Sequence, residues 1–156
     1  MSPEEAEFVD RLGLFMEMLG GPRTMGRAYG WLLICDPPQQ SLTQLAEALS
    51  VSKASVSTVA RQLQQGGMIE RLPSPTRQHL YRVTPGGFAS VLDTQLSLMK
   101  LGIDAADFGL SLLGKDRAEQ RERLEDFRDF CEFSAQDYRD ELMQRWVDYR
   151  ARRRTR

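Results

Sequence analysis

Two short apolar runs at helical spacing, separated by only three residues, constrain this chain more than anything else in it. In "SLTQLAEALSVSKASVSTVARQL", residues 41–63, Leu42, Leu45, Ala46 and Leu49 recur at intervals of three and four, as do Val56, Val59, Ala60 and Leu63. Such spacing places each set on one stripe of an α-helix. Ser41 precedes the first run, and Gln44 stands three residues later. At that spacing a hydroxyl and an amide side chain satisfy each other's backbone amides at a helix start. Ser52 stands in the same N-cap position before the second run. Ser50-Val51-Ser52 leaves room only for a turn, so the pattern predicts a helix-turn-helix.

The residues after the second helix fit a wing. Gly66-Gly67 supplies a residue able to take left-handed geometry at the helix end. "MIERLP" and "HLYRVT" then read as two short strands, with Pro73-Ser74-Pro75 leading the connection between them, as in a β-hairpin. Upstream, Phe8, Leu12, Phe15, Met16 and Leu19 predict an amphipathic helix over residues 4–19, ended by Gly20-Gly21-Pro22. A second helix, residues 24–35, stops at Asp36-Pro37-Pro38, because a residue before proline is pushed out of helical geometry. From Pro85 onward the chain reads as helical again, broken near Gly114, with a charged helix over residues 116–150. Its apolar seam of Leu124, Phe127, Cys131, Tyr138, Leu142 and Tyr149 lies close to heptad spacing.

The charge distribution points to a partner. Asp and Glu supply 22 of the 156 residues, yet the stretch "SVSKASVSTVARQL", residues 50–63, has none. Counting Lys and Arg against Asp and Glu gives -4 for residues 1–49, +4 for 50–85, -2 for 86–114, -4 for 115–149 and +5 for 150–156. An acidic body with a basic middle implies a local anionic partner rather than indiscriminate polyanion binding. With Val56, Val59, Ala60 and Leu63 turned inward, the second helix presents Ala54, Thr58, Arg61 and Gln65 outward, flanked by Lys53, Ser55, Ser57 and Gln62. Small side chains let a helix approach a groove closely, and the polar ones donate to phosphates and base edges. The helix N-terminus at Ser52 adds amide donors that suit an anion. Duplex DNA fits this face. A solvated helix that happens to lack acids is the bland reading, and the capped preceding helix, the tight turn and the hairpin with Arg77 and Arg82 weigh against it.

Other functions find less support. One histidine, no glycine-rich phosphate loop, no nucleophile motif and no metal-ligand cluster argue against an enzyme and against a cofactor or metal. Cys35 and Cys131 match neither a disulfide framework nor a zinc spacing and read as reduced, packed thiols, and His79 has no second ligand nearby. The N-terminus lacks the basic-then-apolar order of a leader, and no apolar run is long enough to span a membrane, which places the chain in the cytoplasm. A winged-helix adaptor that binds another protein is the competitor from a different class. A protein-binding face more often exposes aromatic or aliphatic anchors than an acid-free polar helix.

On these residues, "SLTQLAEALSVSKASVSTVARQLQQGGMIERL" followed by "HLYRVTPGG", the chain resembles winged helix-turn-helix regulators of the MarR superfamily. The preceding "GRAYGWLLICDPPQQ" is similar to the GbsR-like branch, including actinobacterial repressors of exporter genes. The resemblance spans roughly residues 26–87, with weaker similarity in the flanking helices.

It implies a mainly α fold with a small β-hairpin wing, in which N- and C-terminal helices interlock two copies into a homodimer on a pseudo-palindromic operator. The corresponding divisions are an N-terminal dimerisation helix (1–22), a DNA-binding domain (23–85), C-terminal dimerisation helices (86–150) and a basic tail (151–156). The tail reads equally as phosphate contact or as a solvated end. By position, Ser52, Lys53, Ala54, Ser57, Thr58 and Arg61 become recognition-helix contacts, with Gln62 beside them. Ser41 and Thr43 would touch phosphate, and Arg77 would be the wing arginine. "PSPTRQ" carries only that arginine and lacks the acid that usually precedes it. The resemblance further implies a repressor that responds to a small apolar or aromatic effector, with Phe15, Met16, Leu19, Trp31, Met99, Ile103 and Phe108 as candidate lining and the direction of the response left open. Met and aromatic residues at helical spacing also serve as plain core.

Overall fold

The structure is a computed structural model that describes residues 1–73 and 78–154. The chain divides into two compact units, Met1–Val91 and Leu92–Arg156. The first contains α1 (Pro3–Met18), α2 (Arg23–Ile34), β1 (Gln40–Ser41), α3 (Leu42–Leu49), α4 (Lys53–Gln65), β2 (Ile69–Leu72) and β3 (Leu80–Val83). α5 (Gly87–Ser97) carries the chain from the first unit into the second, where α6 (Lys100–Leu112), α7 (Ala118–Phe133), a π turn (Ser134–Tyr138) and α8 (Arg139–Arg154) come in order.

In the first unit, α1 and α2 cross so closely that only glycine fits. A Cβ on Gly26 would stand 2.5 Å from the Leu12 carbonyl oxygen and 2.8 Å from the Gly13 Cα, and one on Gly30 would press on Leu12. This contact lets α2 turn Ala28, Tyr29 and Leu32 into the core, where Val9 and Met16 of α1 are also buried. α3 and α4 supply the rest of that core through the apolar stripes read from the sequence: Leu45, Leu49, Val56, Val59, Ala60 and Leu63 are all buried.

Both helices of this pair end in the same way. The Met68 amide donates to the Leu63 carbonyl at 2.9 Å with Gly67 at φ +69°, and the Val51 amide donates to the Ala46 carbonyl at 3.1 Å with Ser50 at φ +54°. Each bond satisfies a carbonyl that the helix end leaves free. Glycine takes left-handed geometry without a Cβ penalty, whereas Ser50 takes it at a cost of about 1–2 kcal/mol, which the compact turn into α4 offsets.

β2 and β3 form the hairpin, with Ile69 opposite Val83 and Leu72 opposite Leu80. The structure adds β1, which pairs antiparallel with β3 through Gln40–Tyr81 and Ser41–Leu80 and makes a three-stranded sheet in the order β1-β3-β2. Two residues are too few to show a period-2 pattern, so this strand had no sequence signature.

In the second unit, glycine again permits close packing. On α6, Gly102 lies against Cys131 and Phe127 of α7, Gly109 lies against Leu124, and Ala106 between them is buried. Leu124 and Cys131, read from the sequence as part of one long seam, are therefore engaged by α6 of the same chain. The π turn then interrupts the seam, because its wider turn puts the side chains beyond it out of phase with those before. Arg128 spans the hairpin, donating to Asp107 at 2.6 Å and Glu132 at 2.9 Å, and both carboxylates hold its guanidinium charged. Arg121 Nη1 donates to the Leu110 and Leu113 carbonyls and closes the end of α6. No helix among the described residues is long and apolar enough to cross a membrane.

Replacing Gly26 with Ala is expected to lower the unfolding free energy by about 1–3 kcal/mol, since the intruding atom meets backbone rather than a side chain that can swing away. A urea denaturation midpoint equal to wild type would refute the crossing.

Candidate nucleic-acid interface

The outward face of α4 is fixed by its inward one. With Val56, Val59, Ala60 and Leu63 buried, Lys53, Ala54, Thr58, Arg61 and Gln62 are exposed and Ser57 is half-buried beside them. Ser52, itself exposed, caps the helix: its hydroxyl oxygen accepts from the Ser55 amide at 3.1 Å. That leaves the hydroxyl hydrogen and the neighbouring first-turn amides directed at whatever lies before the helix. Thr58 donates its hydroxyl to the Ala54 carbonyl at 3.1 Å, so in this rotamer it offers a partner an acceptor and a methyl group rather than a donor.

The two α3 candidates differ. Ser41 is buried and its side chain is taken up in the capping box, accepting from the Gln44 amide at 3.2 Å while Gln44 Oε1 accepts from the Ser41 amide at 2.8 Å. Thr43, one residue into the helix, is half-buried. Arg77 lies outside the described residues.

Glu70, the one acid in the basic stretch 50–85, is matched by Arg82, which donates from Nε at 2.7 Å across the β2–β3 pair. The sequence points to Arg82 as a wing charge, and its pairing with Glu70 is legible in the strand register.

The effector candidates are distributed over both units. In the first, Met16 is buried in the core, Leu19 is exposed, Phe15 packs on Phe88 with ring centroids 6.0 Å apart, and Trp31 is half-buried. The indole Nε1 of Trp31 is shielded from solvent without a hydrogen-bond partner. In the second, Met99 and Phe108 are exposed and Ile103 is half-buried. Among the described residues no three His, Cys, Asp or Glu side chains are grouped to hold a metal ion.

Capped recognition helix, preceding helix, tight turn and three-stranded wing together define a winged helix-turn-helix domain. Residues 32–76 match the MarR family, and residues 86–151 match the family described as MmpR5-like MarR family transcriptional regulators. The HTH-type transcriptional regulator MmpR5 of Mycobacterium tuberculosis is 39% identical over 132 residues, 84% of this chain and 80% of that protein. A crystal structure of a transcriptional regulator, 35% identical, superposes with a TM-score of 0.81 and covers 94% of this chain and 99% of its own. The chain belongs to the MarR family of transcriptional regulators, in its MmpR5-like group. It is a DNA-binding regulator from a family whose members are not enzymes.

Cys35 is buried, with its thiol directed at the Leu32 carbonyl 3.9 Å away. Burial pushes its pKa up, and the Asp36 charge adds to the rise. A raised pKa means less thiolate at neutral pH, so alkylation of Cys35 in the folded protein is expected to be slow at pH 7 and to accelerate only above the ordinary thiol range. Iodoacetamide kinetics across pH, with mass spectrometry to assign the site, test this; reaction at the rate of a free thiol at pH 7 would refute it.

Proposed function

We propose that this regulator is a homodimeric repressor that binds a pseudo-palindromic operator and releases it when a small apolar or aromatic effector binds. The observation that carries the reading is the acid-free outward face of α4, on which Ser52, Lys53, Ala54, Ser57, Thr58, Arg61 and Gln62 surround a capped, donor-bearing N-terminus. In the proposed complex α4 enters the major groove. Ala54 permits the close approach, Arg61 reads a base edge with its fork, and Ser52 and Lys53 hold phosphates. Thr43 adds a phosphate contact, Ser41 contributes through the order it gives the start of α3, and Arg77 reaches the minor groove from the wing. Two such helices in a dimer reach half-sites about one helical turn apart. Such a regulator works in the cytoplasm beside its DNA. The segment at residues 26–40 further supports kinship with the GbsR-like branch.

Support for an effector rests on the half-buried aromatic Trp31, with its unmatched indole N–H, and on the apolar Phe15 and Leu19 of the same unit. Met16 acts through the core of that unit, and Met99, Ile103 and Phe108 are the candidates in the second unit.

Fluorescence anisotropy with duplexes tiling the upstream intergenic region, at two salt concentrations and with nonspecific competitor, tests the DNA reading. One duplex should bind tightly, resist competitor and weaken steeply with salt. Arg61→Ala should weaken that binding by roughly 1–3 kcal/mol while leaving nonspecific binding nearly intact. Equal, weak binding to every duplex would replace this reading with a winged-helix adaptor that recognises protein.

A further inference from the structure

The hydroxyl of Thr58 is taken up inside its own helix. It donates to the Ala54 carbonyl at 3.1 Å, one turn back on α4, although the residue is exposed and water is free to accept that hydrogen. A threonine hydroxyl has one hydrogen to give. With its oxygen held against the preceding turn, the staggered geometry at Cβ leaves the methyl group in a position away from the backbone. The outward chemistry of this residue is therefore a methyl group beside an oxygen that only accepts.

Ala54 extends that apolar spot. Residues four apart on a helix are surface neighbours, with Cβ atoms about 5–6 Å from each other. Ala54 is exposed as well. At about 100° per residue, Ala54, Thr58, Arg61 and Gln65 fall within an arc of about 60°, opposite the stripe of Val56, Val59, Ala60 and Leu63, all four of which are buried. Arg61, the next of the outward row, is exposed and among the described residues has neither an ion pair nor a hydrogen bond. The row that faces directly away from the core thus opens with two methyl groups and continues with an unengaged guanidinium. Its first half is suited to shape and its second half to hydrogen bonding.

Among the major-groove edges of the four bases, only thymine presents a methyl group. Cytosine carries just a hydrogen at the same ring carbon. We propose that Thr58 determines sequence specificity at one position of each half-site, where its methyl group, flanked by the Ala54 Cβ, packs on the C5-methyl of a thymine. This rests on the reading of α4 as the major-groove helix and deepens it, because it names a base and the atom that reads it. The gain comes from removing two apolar surfaces from water in a groove that is otherwise wet.

The test changes one methyl group at a time, on the DNA and on the protein. Deoxyuridine replaces thymidine singly through the tightest-binding duplex of the upstream intergenic region, which removes the C5-methyl and leaves base pairing intact. At one thymine in each half-site this should weaken binding by about fourfold, the contribution of one buried methyl group. Thr58→Val keeps the methyl and loses the hydroxyl, so it should bind the thymine duplex like wild type and keep the preference for thymine over uracil. Thr58→Ser keeps the hydroxyl and loses the methyl, so it should bind both duplexes alike. Circular dichroism confirms that each variant folds. A uracil penalty that persists in Thr58→Ser would overturn the inference, and so would a tightly bound duplex whose thymines all tolerate uracil. Binding that survives in Thr58→Ser and fails in Thr58→Val would overturn it too, by assigning the contact to the hydroxyl. These results leave the DNA-binding reading standing, whereas a wild-type chain that binds no duplex tightly would remove that reading and this inference with it.

Discussion

Everything α4 presents outward is set by the four side chains it presents inward. Val56, Val59, Ala60 and Leu63 are each at most 5% exposed, and they lock the rotation of the helix to within a fraction of a turn. Rotation by one residue, about 100° on the wheel, would bury Arg61 and expose Leu63. The core therefore does more than stabilise the unit: it orients a row of small and basic side chains that carry no apolar anchor of their own. Caps and turn contribute to the same end, since Ser52 and Ser50 determine where α4 begins and the Gly67 bond determines where it stops.

Glycine solves the same packing problem in both units. α1 meets α2 through Gly13, Gly26 and Gly30, and α6 meets α7 through Gly102 and Gly109. Without a Cβ the helix axes approach closely, and the neighbour fills the depression: Leu12 and Met16 in the first unit, Leu124 and Cys131 in the second. The cost is the helix propensity lost at each glycine, about 1 kcal/mol apiece in a helix interior, and it is offset only where a partner helix occupies the space. These rows therefore mark which helix faces are satisfied within the chain. α8 carries no such glycine row and no buried residue.

Local and periodic features were legible in the sequence. The helix-turn-helix, both of its caps, the glycine stop and the hairpin all come from spacings within about a dozen residues, the range over which periodicity and capping chemistry act. The acid-free face of α4 was legible for the same reason. Three features escaped: β1 was too short to show a period, the burial of Ser41 depends on a sheet partner about 40 residues away, and the long C-terminal seam was read as continuous. Two effects subdivide that seam, one non-local and one within the helix itself. Gly102 and Gly109 claim Cys131 and Leu124 for the intrachain hairpin, and the π turn shifts the phase of α8 relative to α7. A heptad count along one helix carries no information about which neighbour will take each tooth of the seam.

The separation of charge along the chain has its own physical consequence. A net charge of -1 offers little long-range attraction to DNA, so association cannot depend on overall charge. Local positive charge is concentrated in the +4 segment that holds α4 and the wing, where Glu70 is matched by Arg82 and Lys53, Arg61 and Arg71 are exposed. The acidic segments before and after it in the sequence repel an anion wherever it approaches them. Screening shortens both effects to about 8 Å at physiological ionic strength, comparable to the reach of an arginine side chain. At that range an anion gains the attraction only when it lies against the basic segment itself.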